Sequence, residues 1–423
     1  MPRMTVLAAL AALSLGVPAM ARTETDPQAE ADLRAALDAE PDAPDIDERA
    51  FGLFSHGYLR FGIGATNGDD MEAFQLEGAE SKYRLGNESD LYGEFGLGWR
   101  GALPNGSDFL AEAMINAYGD SNAISNGAEL DGGGDIVQAY AGVENIGDGA
   151  FREAFLWGGR RFYRRRDVHI TDFYYEDMSG DGTGLENARL GPVGLSTAAF
   201  YHDDDDMDFR SVALDARIHD IPVRGAWLGE VGAIWIDGSG ADRAGNDGWS
   251  LRFHLDNADL GWGQMRNALM FAGGLGIDFD SIGDPNAMSD DSRLRFVSQA
   301  LIETSDDLQS QATFVFQRSD IAGEDQTWVS AGIRPQYNFT DNWGAAIELG
   351  YDRFKDDSGN RSLTKATLAP LYTFGRKGFF ARPQLRAFVT WARWSDVGAI
   401  TNQAELGDVT DGTTIGIQLE QWW

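Results

Sequence analysis

Arginines, carboxylates and aromatic residues are concentrated in one stretch in the first half of the chain. Residues 160–169 read Arg-Arg-Phe-Tyr-Arg-Arg-Arg-Asp-Val-His, and residues 170–175 continue as Ile-Thr-Asp-Phe-Tyr-Tyr. Asp167 and Asp172 provide the pair of carboxyl groups that glycoside hydrolysis uses. Because so many arginines surround them, we expect both carboxylates to stay ionised and to accept hydrogen bonds, rather than to act as a general acid. The stretch therefore indicates binding of polar groups more than catalysis.

The same stretch cannot be a membrane-facing strand. Neither face of residues 160–169 is apolar, and an unpaired charge in the middle of a bilayer costs about 2–4 kcal/mol. Two interpretations stay open from composition: a solvated loop anchored by arginine–carboxylate pairs, or a loop that folds into a pore and narrows it.

Strands with one polar and one apolar face are predicted on both sides of this stretch. Side chains alternate between the two faces of a strand, so residues two apart share a face. The segments 57–64, 91–99, 382–391 and 415–423 all alternate in this way, and turn clusters at 105–108, 147–149 and 356–360 separate such segments. Their polar faces carry Tyr58 with Arg60, Tyr92 with Glu94, and Trp422 with Glu420.

Composition and the N-terminus place the chain outside the cytoplasm. The chain has 34 basic and 67 acidic residues, a net charge of −33, and no cysteine. Such a surface repels nucleic acid, and no disulfide framework is available. Arg3, an apolar stretch and Ala19-Met20-Ala21 predict a signal peptide over residues 1–21. Residues 22–53 are predicted to form an acidic, mostly disordered periplasmic extension.

Residues 54–423 are predicted to form an all-β fold, a transmembrane antiparallel β-barrel. At about 20 residues for a strand and its connection, this length allows about 18 strands. The 52 glycines and the 11% of aromatic residues suit such a barrel. A large soluble β-sandwich is the alternative that periodicity alone leaves open.

Other signals for chemistry are weak. The acidic run 202–208, which includes Asp203 to Asp206, lacks the glycine and the spaced ligands of a calcium loop, so a solvated loop is the better interpretation. There is no G-x-S-x-G elbow, phosphate-binding loop or zinc spacing. We therefore predict no enzyme activity, no metal and no cofactor.

Short runs spread over the whole predicted barrel resemble a known family. They are His56-Gly57-Tyr58, Gly78-Ala79-Glu80-Ser81-Lys82-Tyr83-Arg84-Leu85-Gly86-Asn87-Glu88, Arg161-Phe162-Tyr163, Asp167-Val168-His169, Asp172-Phe173-Tyr174-Tyr175, Gly184-Leu185-Glu186-Asn187, Gly332-Ile333-Arg334-Pro335 and Trp422-Trp423. In this order they resemble the maltoporins, the sugar-specific porins of the bacterial outer membrane.

The resemblance implies an architecture and a set of binding residues. The architecture is a homotrimer of eighteen-stranded barrels, in contact with outer-membrane lipid and lipopolysaccharide, with the third loop folded into each lumen. An aromatic slide would hold the apolar faces of sugar rings and would include Tyr58, Tyr92, Trp262, Phe380 and Trp422. A charged track and constriction would exchange hydrogen bonds with sugar hydroxyls and would include Arg60, Arg84, Glu94, Arg165, Asp167, Asp172 and Tyr174.

Facilitated diffusion of maltodextrin-like oligosaccharides across the outer membrane is the expected function. A general or differently selective carbohydrate porin is the alternative within transport. A barrel enzyme or an adhesin is the alternative from another class. A Ser–His pair on the wall would favour the enzyme, and long ordered loops would favour the adhesin.

Overall fold

The computed structural model describes residues 51–88, 90–120, 134–204, 207–375 and 377–423. The predicted signal peptide, the predicted extension up to residue 50, and Asp205 and Asp206 of the acidic run lie outside the described residues.

Long antiparallel strands make up most of the described chain. In chain order the strands are β1 (Gly52–Thr66), β2 (Asp69–Asp70), β3 (Asp90–Ala102), β4 (Asp108–Asp120), β5 (Ile136–Glu144), β6 (Phe155–Arg161), β7 (Arg166–Val168), β8 (Phe173–Glu176), β9 (Gly180–Leu190), β10 (Val193–Asp204), β11 (Phe209–Arg224), β12 (Trp227–Ser239), β13 (Asp247–Asn257), β14 (Gly263–Gly274), β15 (Ser292–Ser305), β16 (Leu308–Ile321), β17 (Glu324–Asn338), β18 (Trp343–Asp356), β19 (Gly359–Thr373), β20 (Gln384–Trp394) and β21 (Asp411–Trp422).

Eighteen of these strands form a closed wall. The short β2 only extends the end of β1, and β7 and β8 pair with each other outside the wall. Each remaining strand pairs with the next, and β21 returns to β1 with Trp422 opposite Tyr58, so that the sheet closes. The prediction of an all-β antiparallel barrel of about 18 strands is confirmed.

Helices are few in the part of the chain that the structure describes. They are the 3-10 helices Gly149–Phe151 and His169–Thr171 and one short α-helix, α1 (Gln403–Leu406). None of the described helices is long and apolar enough to span a membrane.

Burial alternates along the wall strands as the sequence predicts. On β20, Gln384 and Arg386 are buried whereas Leu385 and Trp391 are exposed. Because the sheet is closed, the buried polar face lines the inside, and the exposed apolar face forms the outside, as in barrels that contact lipid. The strand begins two residues later than the predicted segment 382–391, after Pro383, whose missing N–H cannot join a ladder.

Connections between strands fall at the predicted turn clusters. Residues 103–107 join β3 to β4, and Asp356 pairs directly with Gly359 across a two-residue turn between β18 and β19. Gly359 has a φ of +147°, which a residue with a Cβ rarely adopts.

Two irregular segments pack together against the buried face of the wall: residues 71–88, which follow β2, and residues 162–179, between β6 and β9. Phe74 of the first and Ile170 of the second belong to one buried hydrophobic cluster with Trp328 of β17. The segments are also joined through their backbones, since the Lys82 N–H donates to the Thr171 carbonyl at 2.8 Å. Asp172 of the second segment lies 3.9 Å from Arg60 of β1, and Arg165 lies 3.8 Å from Glu94 of β3, so the arginine-rich stretch lies beside the polar faces of these two strands.

Candidate functional site

Three of the predicted slide residues meet on neighbouring strands. Tyr58 on β1 lies directly opposite Trp422 on β21, and Arg60 on β1 lies opposite Tyr92 on β3. The ring centres are 6.5 Å apart for Tyr58 and Trp422, and 6.0 Å apart for Tyr58 and Tyr92. Opposite and diagonal residues on one face of a sheet pack side by side, so the strand register itself produces this row of rings.

Phe380 joins the row through His169, which was not predicted as a slide residue. Phe380 lies between β19 and β20, and its ring centre is 5.3 Å from that of His169. The same His169 ring is 5.9 Å from Trp422 and meets it edge-on. The sequence signal for His169 was its place in the Asp167-Val168-His169 run, which gave no indication of its aromatic neighbours.

Trp262 lies apart from these rings. It ends the turn between β13 and β14, about halfway round the wall from β1 in strand order. Among the described residues no ring contact joins Trp262 to the other four aromatic residues. Its assignment to the slide stays a prediction.

The four clustered rings differ in accessibility. Tyr58 is only 4% exposed. Its hydroxyl donates to Glu420 at 3.0 Å and accepts from Arg84 at 2.5 Å. Tyr92, Phe380 and Trp422 are half-buried. Tyr58 therefore supports the row, while the other three rings keep surface that a ligand can contact.

Glu420 connects the aromatic row to three arginines. It lies 3.0 Å from Arg84, 3.2 Å from Arg386 and 2.6 Å from Arg382. Arg382 was not among the predicted site residues, yet its guanidinium lies 4.1 Å from the ring centre of Trp422. Its position two residues before β20 gave no signal for this contact with β21.

Arg60 and Arg84 of the predicted track are brought together by one carboxylate. Glu88 lies 2.8 Å from Arg60 and 3.1 Å from Arg84. Arg60 also pairs with Asp90 at 2.6 Å. Both arginines are buried, and their charges are compensated by carboxylates, as buried charges require.

Asp172 lies where the two irregular segments meet. Its carboxylate is 2.9 Å from Lys82 and 3.6 Å from Arg84. Burial alone raises the pKa of Asp172, but Arg84 and Lys82 outweigh it and hold the pKa well below its ordinary value. The carboxylate therefore stays ionised, as the sequence analysis expects.

Arg165 is stacked between two aromatic rings. Its guanidinium lies 4.2 Å from the ring centre of Phe162 and 4.3 Å from that of Tyr174. Glu94 lies 3.8 Å from Arg165 and accepts a hydrogen bond of 2.5 Å from the Tyr92 hydroxyl. The predicted track residues Arg165, Glu94 and Tyr174 thus form one cluster beside the end of the aromatic row.

Asp167 differs from the other track residues because no ion pair or hydrogen bond of its carboxylate is found among the described residues. Burial raises its pKa to about 6, an effect that the neighbouring Asp172 strengthens and that Arg84 and Arg165 oppose. Asp167 therefore changes its charge closer to neutral pH than an ordinary aspartate does.

The 162–179 segment is attached to wall strands far from β1. Arg164 lies 2.6 Å from Glu230 of β12 and 3.5 Å from Asp215 of β11, and Glu176 lies 2.8 Å from Arg252 of β13. The network is buried and carries both signs of charge, so it ties the segment to β11, β12 and β13.

One further arrangement resembles a catalytic triad. The Ser196 hydroxyl on β10 lies 3.1 Å from His219 Nε2 on β11, and His219 Nδ1 lies 3.1 Å from Asp220 Oδ2. Ser196 is 0% exposed, and its oxygen also accepts a hydrogen bond from the Asn187 N–H. No local sequence signature marks this arrangement, because Ser196 and His219 meet only through the pairing of β10 with β11.

Comparison with known proteins identifies the family. The model of the LamB porin family matches residues 54–423. Similar solved structures include Pseudomonas aeruginosa OccK3 (OpdO), with 11% identity over 87% of this chain and 95% of that chain and a TM-score of 0.48. They also include Pseudomonas aeruginosa OpdK with vanillate (13% identity, 88% and 99% covered, TM-score 0.49) and Salmonella typhi OmpF in complex with daunomycin (9% identity, 87% and 97% covered, TM-score 0.49).

The family assignment rests on the match to the family model, which runs from the third residue of β1 to the last residue of the chain. The closed wall with its exposed apolar outer face agrees with it. The chain belongs to the LamB porin family, and it is a sugar porin of the bacterial outer membrane, a channel rather than an enzyme.

Proposed function

We propose that this porin carries maltodextrin-like oligosaccharides by facilitated diffusion along Tyr92, Trp422 and Phe380, with Tyr58 supporting the row from below. The observation that supports the proposal most directly is the continuity of these rings, which lie between 5.3 and 6.5 Å from their neighbours once His169 is included. Charged groups border the row along its length, from Glu94 at Tyr92 to Arg382 at Trp422.

The chemistry of a pyranose suits this arrangement. Each ring has apolar C–H faces, which pack on aromatic rings, and a belt of hydroxyl groups, which exchange hydrogen bonds with charged side chains. Passage requires binding that is favourable but weak and repeated at several sites. A row of rings provides repeated apolar sites. The ion pairs beside it provide donors and acceptors with which successive hydroxyls of the sugar exchange hydrogen bonds.

We further propose that the 162–179 segment folds into the lumen and narrows it, so that Arg165, Asp167, Asp172 and Tyr174 form the constriction. Its contacts with β11, β12 and β13 on one side, and with residues 82–84 on the other, support this position. A segment held on both sides keeps one position, so the passage beside it stays narrow.

The functional assembly that we propose is a homotrimer in outer-membrane lipid and lipopolysaccharide. Large apolar side chains such as Leu97, Trp99, Leu214 and Trp235 are exposed on the outer face of the wall, where lipid or a neighbouring subunit covers them. The strongly acidic composition argues against nucleic acid as a partner.

Conductance in planar bilayers tests the proposed substrate. Current through the purified porin is titrated with maltose, maltohexaose, sucrose and an unrelated disaccharide. We expect concentration-dependent block that strengthens from maltose to maltohexaose, because a longer chain contacts more of the row. Equal block by all four sugars would instead support a general or differently selective carbohydrate porin, and no block by any of them would refute a sugar slide.

The Ser196–His219–Asp220 arrangement is the observation that favours an enzyme, and we infer that it is structural. A nucleophile must reach a substrate carbonyl, whereas the Ser196 hydroxyl is buried and already bonded to the Asn187 N–H. We expect a fluorophosphonate probe not to label the protein and Ser196→Ala to leave sugar block unchanged. Labelling that Ser196→Ala abolishes would establish a hydrolytic site.

A further inference from the structure

Several polar side chains on the wall across from the aromatic row lack hydrogen-bond or ion-pair partners. Arg266 on β14 lies directly opposite Asp256 on β13 and Gln299 on β15, and β14 is about halfway round the wall from β1. Arg266 shares the strand face of Ala268 and Met270, which are buried. Its side chain therefore belongs to the inner face of the barrel, next to those of Asp256 and Gln299.

Arg266 is an uncompensated cation in the described part of the chain, where no ion pair or hydrogen bond of its guanidinium is found. Nearly every other lumen arginine has a carboxylate partner, as Arg60, Arg84 and Arg164 do. A guanidinium that has five donors and no protein acceptor is available to an external acceptor.

Two acceptors are also unsatisfied, one on the strand next to Arg266 and one two strands away that is joined to Gln299. Asp256 Oδ1 is buried and has no hydrogen-bond partner, while its Oδ2 lies 3.7 Å from Arg166. Gln311 is 4% exposed, and its Oε1 has no partner although its Nε2 donates to Gln299 at 2.9 Å. Buried polar atoms without a protein partner are rare, and they indicate a position where water or a ligand supplies the bond.

The 162–179 segment brings the free carboxylate of Asp167 to the same place. The Gln299 side-chain amide donates to the Asp167 carbonyl at 2.8 Å, which anchors this residue to the strand that carries Gln299. Arg266 is among the cations that act on the Asp167 carboxyl group. The free donor of Arg266 and the free acceptor of Asp167 thus lie on either side of Gln299, one on the wall and one on the segment.

We propose that Arg266, Asp256 and Asp167 form a second hydroxyl-binding site for the sugar, on the side of the lumen across from the aromatic row. The site rests on the proposed function and extends it. The planar guanidinium of Arg266 donates to two neighbouring hydroxyl oxygens at once, and the carboxylates of Asp256 and Asp167 accept from hydroxyl hydrogens. The ligand class is a neutral oligosaccharide with neighbouring free hydroxyls.

Sugar block and ion selectivity of Arg266→Gln test the site. Hydrogen bonds to charged groups contribute about 1.5–3 kcal/mol, so we expect the dissociation constant for maltohexaose to rise about tenfold or more. The reversal potential in a salt gradient should shift towards cation preference, because a fixed positive charge leaves the lumen. Arg266→Lys should restore the reversal potential but only part of the affinity, because lysine returns the charge without the paired N–H donors of a guanidinium.

Arg318→Gln is the matched control, because Arg318 lies on the exposed face of β16, where it pairs with Asp325. It removes the same charge away from the lumen and should change neither readout. Unchanged block in both Arg266 variants, with normal block of the unaltered porin and weaker block in Trp422→Ala, would overturn this site and leave the proposed function standing. Absence of block in the unaltered porin would overturn both.

Discussion

The guanidinium of Arg382 lies 4.1 Å from the ring centre of Trp422, and the same guanidinium pairs with Glu420 at 2.6 Å. A cation over an indole face contributes about 0.5–2 kcal/mol, so this contact holds the Trp422 ring in place beside Tyr58. It also means that the aromatic and charged rows are one connected structure. Part of the Trp422 surface is occupied by protein, and a sugar must use what remains.

Trp422→Ala removes a half-buried ring from the middle of the row. An aromatic contact contributes about 0.5–1.5 kcal/mol, so we expect the dissociation constant for maltohexaose to rise about 3- to 10-fold, with single-channel conductance unchanged or larger. Noise analysis of sugar block in planar bilayers measures both quantities. Trp391→Ala, on the exposed outer face of β20, should leave block unchanged. Equal block by every sugar in Trp422→Ala and the unaltered porin would remove Trp422 from the slide.

Arg165→Ala should open the constriction. The guanidinium fills the space between the rings of Phe162 and Tyr174, so its loss leaves a gap there. We expect a larger single-channel conductance and a weaker affinity for maltohexaose. Arg160→Ala is the matched control, because Arg160 is exposed and pairs with the equally exposed Asp181. A conductance that does not change would show that Arg165 does not line the pore.

The charge of Asp167 should make ion selectivity depend on pH. Burial raises the pKa of Asp167 to about 6, so its carboxyl group gains a proton as the pH falls from 7 to 5. One negative charge then leaves the proposed constriction, and the reversal potential in a salt gradient should shift towards anions with a midpoint near pH 6. Asp167→Asn should abolish this midpoint.

Asp172→Asn provides the comparison for that pH profile. The pKa of Asp172 is held well below its ordinary value, so Asp172 stays ionised across this range. Its substitution should change the reversal potential at every pH. It should also move the midpoint below pH 6 without abolishing it, because the charge of Asp172 contributes to the raised pKa of Asp167. A midpoint that survives in Asp167→Asn would assign the titration to another group.

The fold was predictable from the sequence because its main signal is local. Alternation with a period of two depends only on which residues are neighbours, and it gave the strands and identified the inward face of Tyr58, Tyr92 and Trp422. The number of strands followed from length. Alternation does not specify how far other side chains bury a residue on the inner face. Tyr58 is on that face as expected, yet Arg84 and Glu420 cover it.

The rest of the site depends on contacts between distant segments. His169 lies between Trp422 and Phe380 only because a 3-10 helix of the 162–179 segment packs beside the chain terminus. Arg266 is noticeable only when the register of β13, β14 and β15 is known, since its significance lies in the partner that it lacks. Neither relationship is encoded in a run of adjacent residues, so no motif or periodicity identifies it.

Glu176→Gln should loosen the attachment of the 162–179 segment. Its carboxylate lies 2.6 Å from Arg164 and 2.8 Å from Arg252, and all three side chains are at most 1% exposed. Removing one partner of a buried ion pair leaves uncompensated charge and costs about 3–5 kcal/mol. We expect a lower thermal unfolding temperature in detergent and a noisier, larger conductance, because the segment no longer holds a single position.

Glu153→Gln separates this effect from simple loss of a carboxylate. Glu153 pairs with Arg189 at 2.7 Å, but its side chain is 59% exposed, and exposed pairs contribute about 0–1 kcal/mol. Its substitution should change neither the unfolding temperature nor the current noise. If Glu176→Gln lowers the unfolding temperature while conductance and noise stay normal, the network stabilises the wall alone, and the segment is positioned by its contacts with Lys82 and Gln299 instead.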